Sequence, residues 1–233
     1  MKKWKIKALN EGKAEIFIYS DIGYELWEDK STAQLFAEEL KSLGENTSID
    51  LHINSNGGDV FDGQAIHTLI KNHKGFVTAY IDGLAASIAT VIAMGADKIV
   101  MPKNAMMMIH NPWTIAQGEA KDMEKVIEML GEIKESIMNA YELRTGLSRT
   151  KISHLMDSES WFNARKAVEL GFADKILFSK DEPKEELELS SYSFSRATAD
   201  HNLVVKLQAK IDSYKPLSTT PLNQLRKRLD LLK

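Results

Sequence analysis

The chain reads as an α/β layered protein, on three observations. Short apolar runs with strand-like alternation are interleaved with runs whose apolar residues recur at helical spacing. Capping and turn residues separate the two kinds of run. A hydrophobic content of 43% over 233 residues is enough for one large core. Strand–helix repetition of this kind indicates sheets covered by helices.

The elements follow in order. Residues 14–19 (Ala-Glu-Ile-Phe-Ile-Tyr) predict a short buried strand. Ser31-Thr32-Ala33-Gln34 resembles a capping box, in which a hydroxyl and a glutamine three residues later satisfy each other's orphan amides. Ala33, Phe36, Leu40 and Leu43 then keep helical spacing, and Gly44 is a natural stop. Ile49, Leu51 and Ile53 alternate as strand residues. After Gly57-Gly58, a second helical stripe runs through Val60, Phe61, Ala65, Ile66, Leu69 and Ile70. Residues 76–81 predict a strand, 84–94 a helix, and 98–101 and 106–109 two short strands.

A long helix is expected over 119–144, with Met123, Val126, Leu130, Ile133, Ile137 and Tyr141 along one face. Gly131 interrupts it and weakens it by about 1 kcal/mol relative to alanine. Ser148 opens another short helix, and a further one over 164–170 ends at Gly171. Residues 157–162 between them read as extended.

The composition changes after Ser179. Residues 181–188 are acidic and 190–195 serine-rich, which reads as linker. Val204, Leu207, Ile211 and Tyr214, then Leu222, Leu225, Leu229 and Leu232, make two short amphipathic stripes. Helices of about three turns are marginal alone, so both need a surface to dock on. That surface is either the chain's own domain or a partner. The expected organisation is one domain over 1–180 and a linker with an amphipathic tail over 181–233.

Several function classes are set aside by composition. With 30 basic and 33 acidic side chains the net charge is −3, which suggests neither a nucleic-acid binder nor a membrane-surface protein. The chain has no cysteine, so disulfides, thiol nucleophiles and thiolate metal sites are out. The longest uncharged apolar stretch, residues 83–96, is too short to span a bilayer. The basic start, Met1-Lys2-Lys3-Trp4-Lys5-Ile6-Lys7, is not followed by a signal-peptide core, and a cytoplasmic protein is expected.

Ser87 is the most telling residue. It lies in Asp82-Gly83-Leu84-Ala85-Ala86-Ser87-Ile88-Ala89, flanked by alanines at the entrance of an apolar helix, where packing does not need a serine. Helix-entrance amides favour a developing oxyanion, but an ordinary N-cap serine would look the same locally. His110, in Met108-Ile109-His110-Asn111-Pro112, ends an apolar strand just before a forced turn. It is placed as a general base, or else as a solvent-facing loop histidine. His67 reads as a surface residue, and His52, His73, His154 and His201 show no comparable setting.

Asn56-Gly57-Gly58 is either a simple tight turn or a donor site, since a glycine lets substrate approach the backbone closely. The Gly58 amide, with that of Ile88, would then form an oxyanion hole. In an extended segment Asp157 and Glu159 share a face, and either can orient His110. Serine, histidine, acid and backbone donors are the parts of a serine hydrolase.

With these pieces placed, the chain closely resembles the Clp protease proteolytic subunit family over residues 14–177. The resemblance rests on four runs in order: Ile53-Asn54-Ser55-Asn56-Gly57-Gly58, Gly83-Leu84-Ala85-Ala86-Ser87, Met108-Ile109-His110-Asn111-Pro112 and Ala167-Val168-Glu169-Leu170-Gly171. It implies a Clp/crotonase-like fold of repeated β-β-α units, with residues 119–144 projecting as a handle helix. It also implies a serine endopeptidase acting on polypeptides inside a ring-forming homo-oligomer, with no metal and no organic cofactor.

By motif, Ser87 becomes the nucleophile, His110 the base, and Gly58 and Ile88 the oxyanion donors. The family's acid is an aspartate. Ungapped counting back from Ala167 puts Glu159 at its position, with Asp157 as the alternative acid. Asn56, Gly-Gly-Asp-Val-Phe and Glu-Ser-Trp-Phe look more like the phage-encoded branch of head maturation, or prohead, proteases. That branch implies capsid or scaffold proteins as partners and a place inside assembling heads. A housekeeping peptidase driven by a Clp-type ATPase is the alternative, although the family's usual axial-loop sequence is missing at the start. A non-catalytic assembly protein and a crotonase-like acyl-CoA enzyme are the readings from other classes.

Overall fold

The computed structural model describes residues 4–9, 12–23 and 31–177. The linker and tail expected over 181–233 lie outside the described residues.

Eight strands and six helices alternate along these residues. Strand β1 (Trp4–Leu9) runs antiparallel to β2 (Lys13–Ile18). From there β2, β3 (Ser48–Ser55), β4 (Val77–Ala86), β5 (Lys98–Pro102) and β8 (Lys175–Leu177) are parallel neighbours in that order. Helices α1 (Thr32–Leu43), α2 (Val60–Asn72) and α3 (Ile88–Met94) make the first three crossovers. The parallel sheet covered by helices is the α/β architecture the sequence predicts.

Local chemistry sets the element ends. Ser31 and Gln34 form the predicted capping box: Ser31 Oγ accepts from the Gln34 amide at 3.4 Å and Gln34 Oε1 from the Ser31 amide at 3.0 Å. Helix α1 stops at Gly44. Asp59 caps α2 by accepting from the Asp62 amide at 2.9 Å.

Strand β4 differs from expectation. The run Leu84 to Ala86, read from sequence as the start of a helix, continues the strand, and α3 begins only at Ile88. The reason lies in its partners. β4 pairs with β5 through Thr78–Tyr80 and then with β6 (Met106–Ile109) through Leu84–Ala86. Ala85 also faces Ser55 of β3. The alanines therefore keep a central strand slim where it is flanked on both sides. An alanine run favours a helix in isolation, and tertiary pairing overrides it here.

The core lies between the sheet and its helices. Ile49, Leu51 and Ile53 of β3 and Ile81 of β4 are buried in one cluster with Phe36 of α1, Ile66 of α2 and Ile92 of α3. The other face of β2, β3 and β4 carries Phe17, His52 and Tyr80. Their rings stack across three strands, with centroids 4.7 and 5.1 Å apart.

The predicted long helix is α4 (Ala120–Thr145). Ile133, Ile137, Met138 and Tyr141 are buried, whereas Ile127 is 69% exposed. Only the C-terminal half packs on the core, so the first half projects. Helix α5 (Arg149–Asp157), β7 (Ser160–Asn163) and α6 (Ala164–Glu169) complete the chain before β8. Among the described residues no helix is long and apolar enough to cross a membrane.

Candidate active site

Parallel strands deliver their carboxyl ends to one edge of a sheet, and that edge collects the chemistry-bearing residues. Asn56-Gly57-Gly58 follows β3, Ser87 follows β4 and His110 follows β6. All three strands are mutually parallel through β4. Glu159 stands just before β7, which runs antiparallel to β6 and so begins at the same edge.

Ser87 links β4 to α3 with φ 55° and ψ −130°. It occupies the N-cap position, yet its side chain makes no capping bond. The hydroxyl instead meets a histidine: His110 Nε2 lies 2.8 Å from Ser87 Oγ. That contact answers the N-cap alternative raised by the sequence. The Ser87 amide donates to the Met108 carbonyl at 2.9 Å, which ties the turn to the strand bearing His110.

The glycine turn backs directly onto this serine. Gly57 has φ +96°, and a Cβ added there would come within 2.7 Å of Ser87 Cβ and 2.8 Å of the Ala86 carbonyl oxygen. Gly58 has φ +143°. Its neighbours fix its aim. Ile22 donates to the Gly57 carbonyl at 2.8 Å and accepts from the Asp59 amide at 2.9 Å. In such a parallel bridge the N–H and C=O of the middle residue, Gly58, point away from Ile22. The Ile88 N–H belongs to the first turn of α3, where no intrahelical acceptor exists. The glycine turn and the first turn of α3 meet here, since a Cβ on Gly57 would also come within 3.2 Å of the Ile88 nitrogen.

The two candidate acids separate. Residues 157–162 do not form the extended segment expected from the sequence. Asp157 is the last residue of α5, Ser158 caps it, and Glu159 turns the chain with φ 45°. The carboxylates therefore do not share a strand face. Asp157 Oδ1 accepts from Asn111 Nδ2 at 2.9 Å and from Lys134 Nζ at 2.6 Å, and Ser153 Oγ lies 3.4 Å from Oδ2. Lys134 and then Asn111 hold its carboxyl below the usual carboxylate range. Glu159 takes the other course. Ile109 pairs with Ser160, the last pair of the β6–β7 register, and His110 and Glu159 are each the next residue beyond it.

Some supporting residues are not evident from the sequence. Ser55 Oγ donates to the Ser20 carbonyl at 2.6 Å and accepts from the Gly57 amide at 3.1 Å, pinning the glycine turn. Buried Asn54 accepts from the Leu84 amide at 3.1 Å, and a Cβ on Gly83 would crowd its Oδ1 at 2.8 Å. His67 is not a surface residue: it is partly buried between α2 and α3, with Nδ1 2.7 Å from the Val91 carbonyl. His52 also has a definite setting, 2.8 Å from the buried Asp82, which accepts from the Tyr19 hydroxyl as well. Only the nearby Asn-Ser and Asp-Gly pairs hint at these ties in the sequence. Among the described residues, no three or more His, Asp or Glu side chains are grouped to share a metal ion.

What this arrangement can do is remove a proton from Ser87 Oγ at the moment of attack and receive negative charge on two backbone amides. Comparison with known proteins points the same way. Residues 5–180 match the family model described as Clp protease. The chain is 31% identical over 140 residues to an ATP-dependent Clp protease proteolytic subunit of Chlorella vulgaris, covering 59% of this chain and 69% of that one. It is 36% identical over 160 residues to ATP-dependent Clp protease proteolytic subunit 1 of Chlamydia muridarum, covering 65% of this chain and 82% of that one. Among solved structures, a point mutant of ClpP1 from Listeria monocytogenes superposes with a TM-score of 0.61 at 27% identity. The match covers 72% of this chain and 92% of that one.

Proposed function

Because the chain belongs to the Clp protease family, we propose that it hydrolyses peptide bonds as a serine endopeptidase, with Ser87 as nucleophile and His110 as base. The observation that carries this reading is the 2.8 Å contact of His110 Nε2 with a serine hydroxyl held on a strained turn. His110 takes the Ser87 proton while Oγ attacks the scissile carbonyl carbon. The resulting oxyanion rests on the N–H groups of Gly58 and Ile88. His110 then passes its proton to the leaving amine, and water attacks the acyl-enzyme by the reverse route. Glu159 orients His110 and stabilises its charged form; Asp157 is already engaged by Lys134 and Asn111.

The working form is a homo-oligomer joined through the projecting half of α4, where Ile127 and Met129 are exposed among charged residues. A closed ring admits extended chains and excludes folded proteins. The finer reading is a head maturation protease that trims capsid or scaffold proteins. Asn56 and the Glu-Ser-Trp-Phe run support it.

The test is hydrolysis of fluorogenic peptides and unfolded casein by the purified oligomer, with Ser87→Ala as control. Hydrolysis lost in the mutant supports the endopeptidase. A well-folded oligomer that cleaves nothing overturns it in favour of an assembly protein. Limited cleavage of a coat or scaffold precursor without ATP supports the head maturation role. Stimulated degradation with a Clp-type ATPase and ATP supports the turnover role instead.

A further inference from the structure

Ser87 and Ile88 share one peptide unit, so whatever fixes the Ser87 carbonyl also fixes the Ile88 N–H on its opposite side. A trans peptide is planar, with C=O and N–H antiparallel. The Ser87 carbonyl is held unusually well. It accepts the Thr90 amide at 3.0 Å and the Thr90 hydroxyl at 2.6 Å. A third residue enters from the long helix α4: Tyr141 Oη lies 2.7 Å from Thr90 Oγ1. Thr90 has 0% and Tyr141 1% of its surface exposed, so no water competes for these groups.

Proton counting fixes the direction of the chain. A carbonyl only accepts, so the single Thr90 hydroxyl hydrogen goes to the Ser87 oxygen. Tyr141 must therefore be the donor to Thr90 Oγ1. Its phenol stays protonated, because burial pushes its pKa well above the usual tyrosine value. The chain Tyr141 O–H to Thr90 O–H to Ser87 C=O is complete, and each link strengthens the next.

We propose that Thr90 and Tyr141 are positioning residues that aim the Ile88 N–H at the oxyanion, from the face of the peptide opposite the substrate. This rests on the endopeptidase reading and deepens it. Neither side chain touches substrate. Their effect falls on the transition state, since the oxyanion gains charge only there, and so on kcat rather than KM. Nothing local demands the hydroxyl. Thr90 is the third residue of a short apolar helix, where valine would pack equally well.

The experiment compares four variants of the full chain by kcat, KM and thermal midpoint on a fluorogenic peptide. Thr90→Val should lower kcat about tenfold or more, with KM within twofold. Thr90→Ser, which keeps the hydroxyl, should restore kcat to within about threefold of the parent. Tyr141→Phe leaves the Thr90 donor in place and should cost only a few-fold in kcat. The double variant Thr90→Val with Tyr141→Phe is the decisive one. Thr90→Val alone orphans a buried phenol and lowers the midpoint, whereas removing both partners restores much of it. If kcat stays low in the double variant while the midpoint recovers, the positioning role holds. If kcat recovers with the midpoint, or Thr90→Val is as active as the parent, the proposal is overturned. A parent protein that cleaves no peptide sinks the endopeptidase reading itself, which is a separate outcome.

Discussion

Ser87 and Glu159 are the two non-glycine residues among those described that hold positive φ, at 55° and 45°. Side chains resist this region, and each instance costs of order 1–3 kcal/mol unless its surroundings enforce it. Ser87 is enforced by the Met108 carbonyl on its amide and by Thr90 on its carbonyl. Glu159 is enforced by its N–H, which donates to the Met156 carbonyl at 3.1 Å and closes the end of α5. Ser87 meets His110 Nε2 directly, and Glu159 stands just before β7, the strand paired with the one that leads into His110.

That arrangement separates the two carboxylates experimentally. Glu159→Gln is expected to lower kcat by about 10²-fold or more, because the imidazolium loses its counter-charge. Asp157→Asn is expected to keep kcat within about threefold and to cost no more than about 1 kcal/mol, as for other exposed ion pairs. Steady-state kinetics on both variants checks this. The reverse ranking would make Asp157 the acid.

Gly57→Ala should be far more harmful than an added methyl suggests. The new Cβ would press on Ser87 and the Ala86 carbonyl at a φ that alanine resists. A loss in kcat/KM of about 10²-fold, in a protein still folded by circular dichroism, is the expected outcome.

Stability should fall in mild acid through His67. Burial, the largest influence, and then Lys71 lower its pKa from 6.5, against the Val91 carbonyl, which raises it. The unfolded chain therefore binds the proton more readily than the folded one. The full contribution is present above about pH 6.5 and is lost as pH falls below it. Urea midpoints at pH 7.5 and 5.5 should differ less in His67→Gln than in the parent.

Ile127 tests the assembly. It lies on the projecting half of α4 and is 69% exposed, so Ile127→Asp should leave the protomer's stability unchanged. Analytical ultracentrifugation should show a smaller species. An unaltered assembly would move the contact elsewhere.

Much of this molecule was legible from residue order alone. Periodicity located α1, α2 and α4, because amphipathic spacing is set by burial on one face. The alanines of β4 misled, since only its flanking strands make that stretch extended. The acid stayed ambiguous because the left-handed turn at Glu159, which takes Asp157 and Glu159 off a shared strand face, leaves no mark in the residue pattern. Ser55, Thr90 and Tyr141 were invisible because their partners lie far away in sequence or on the backbone.

The most direct test is labelling of the purified oligomer with a fluorophosphonate, mapped by mass spectrometry in the parent, Ser87→Ala and His110→Ala. An activated Ser87 should carry the label, lose it in Ser87→Ala, and react at least about 10³-fold more slowly in His110→Ala. No labelling of a folded oligomer, or labelling indifferent to His110, would contradict the Ser87–His110 pair as the catalytic centre.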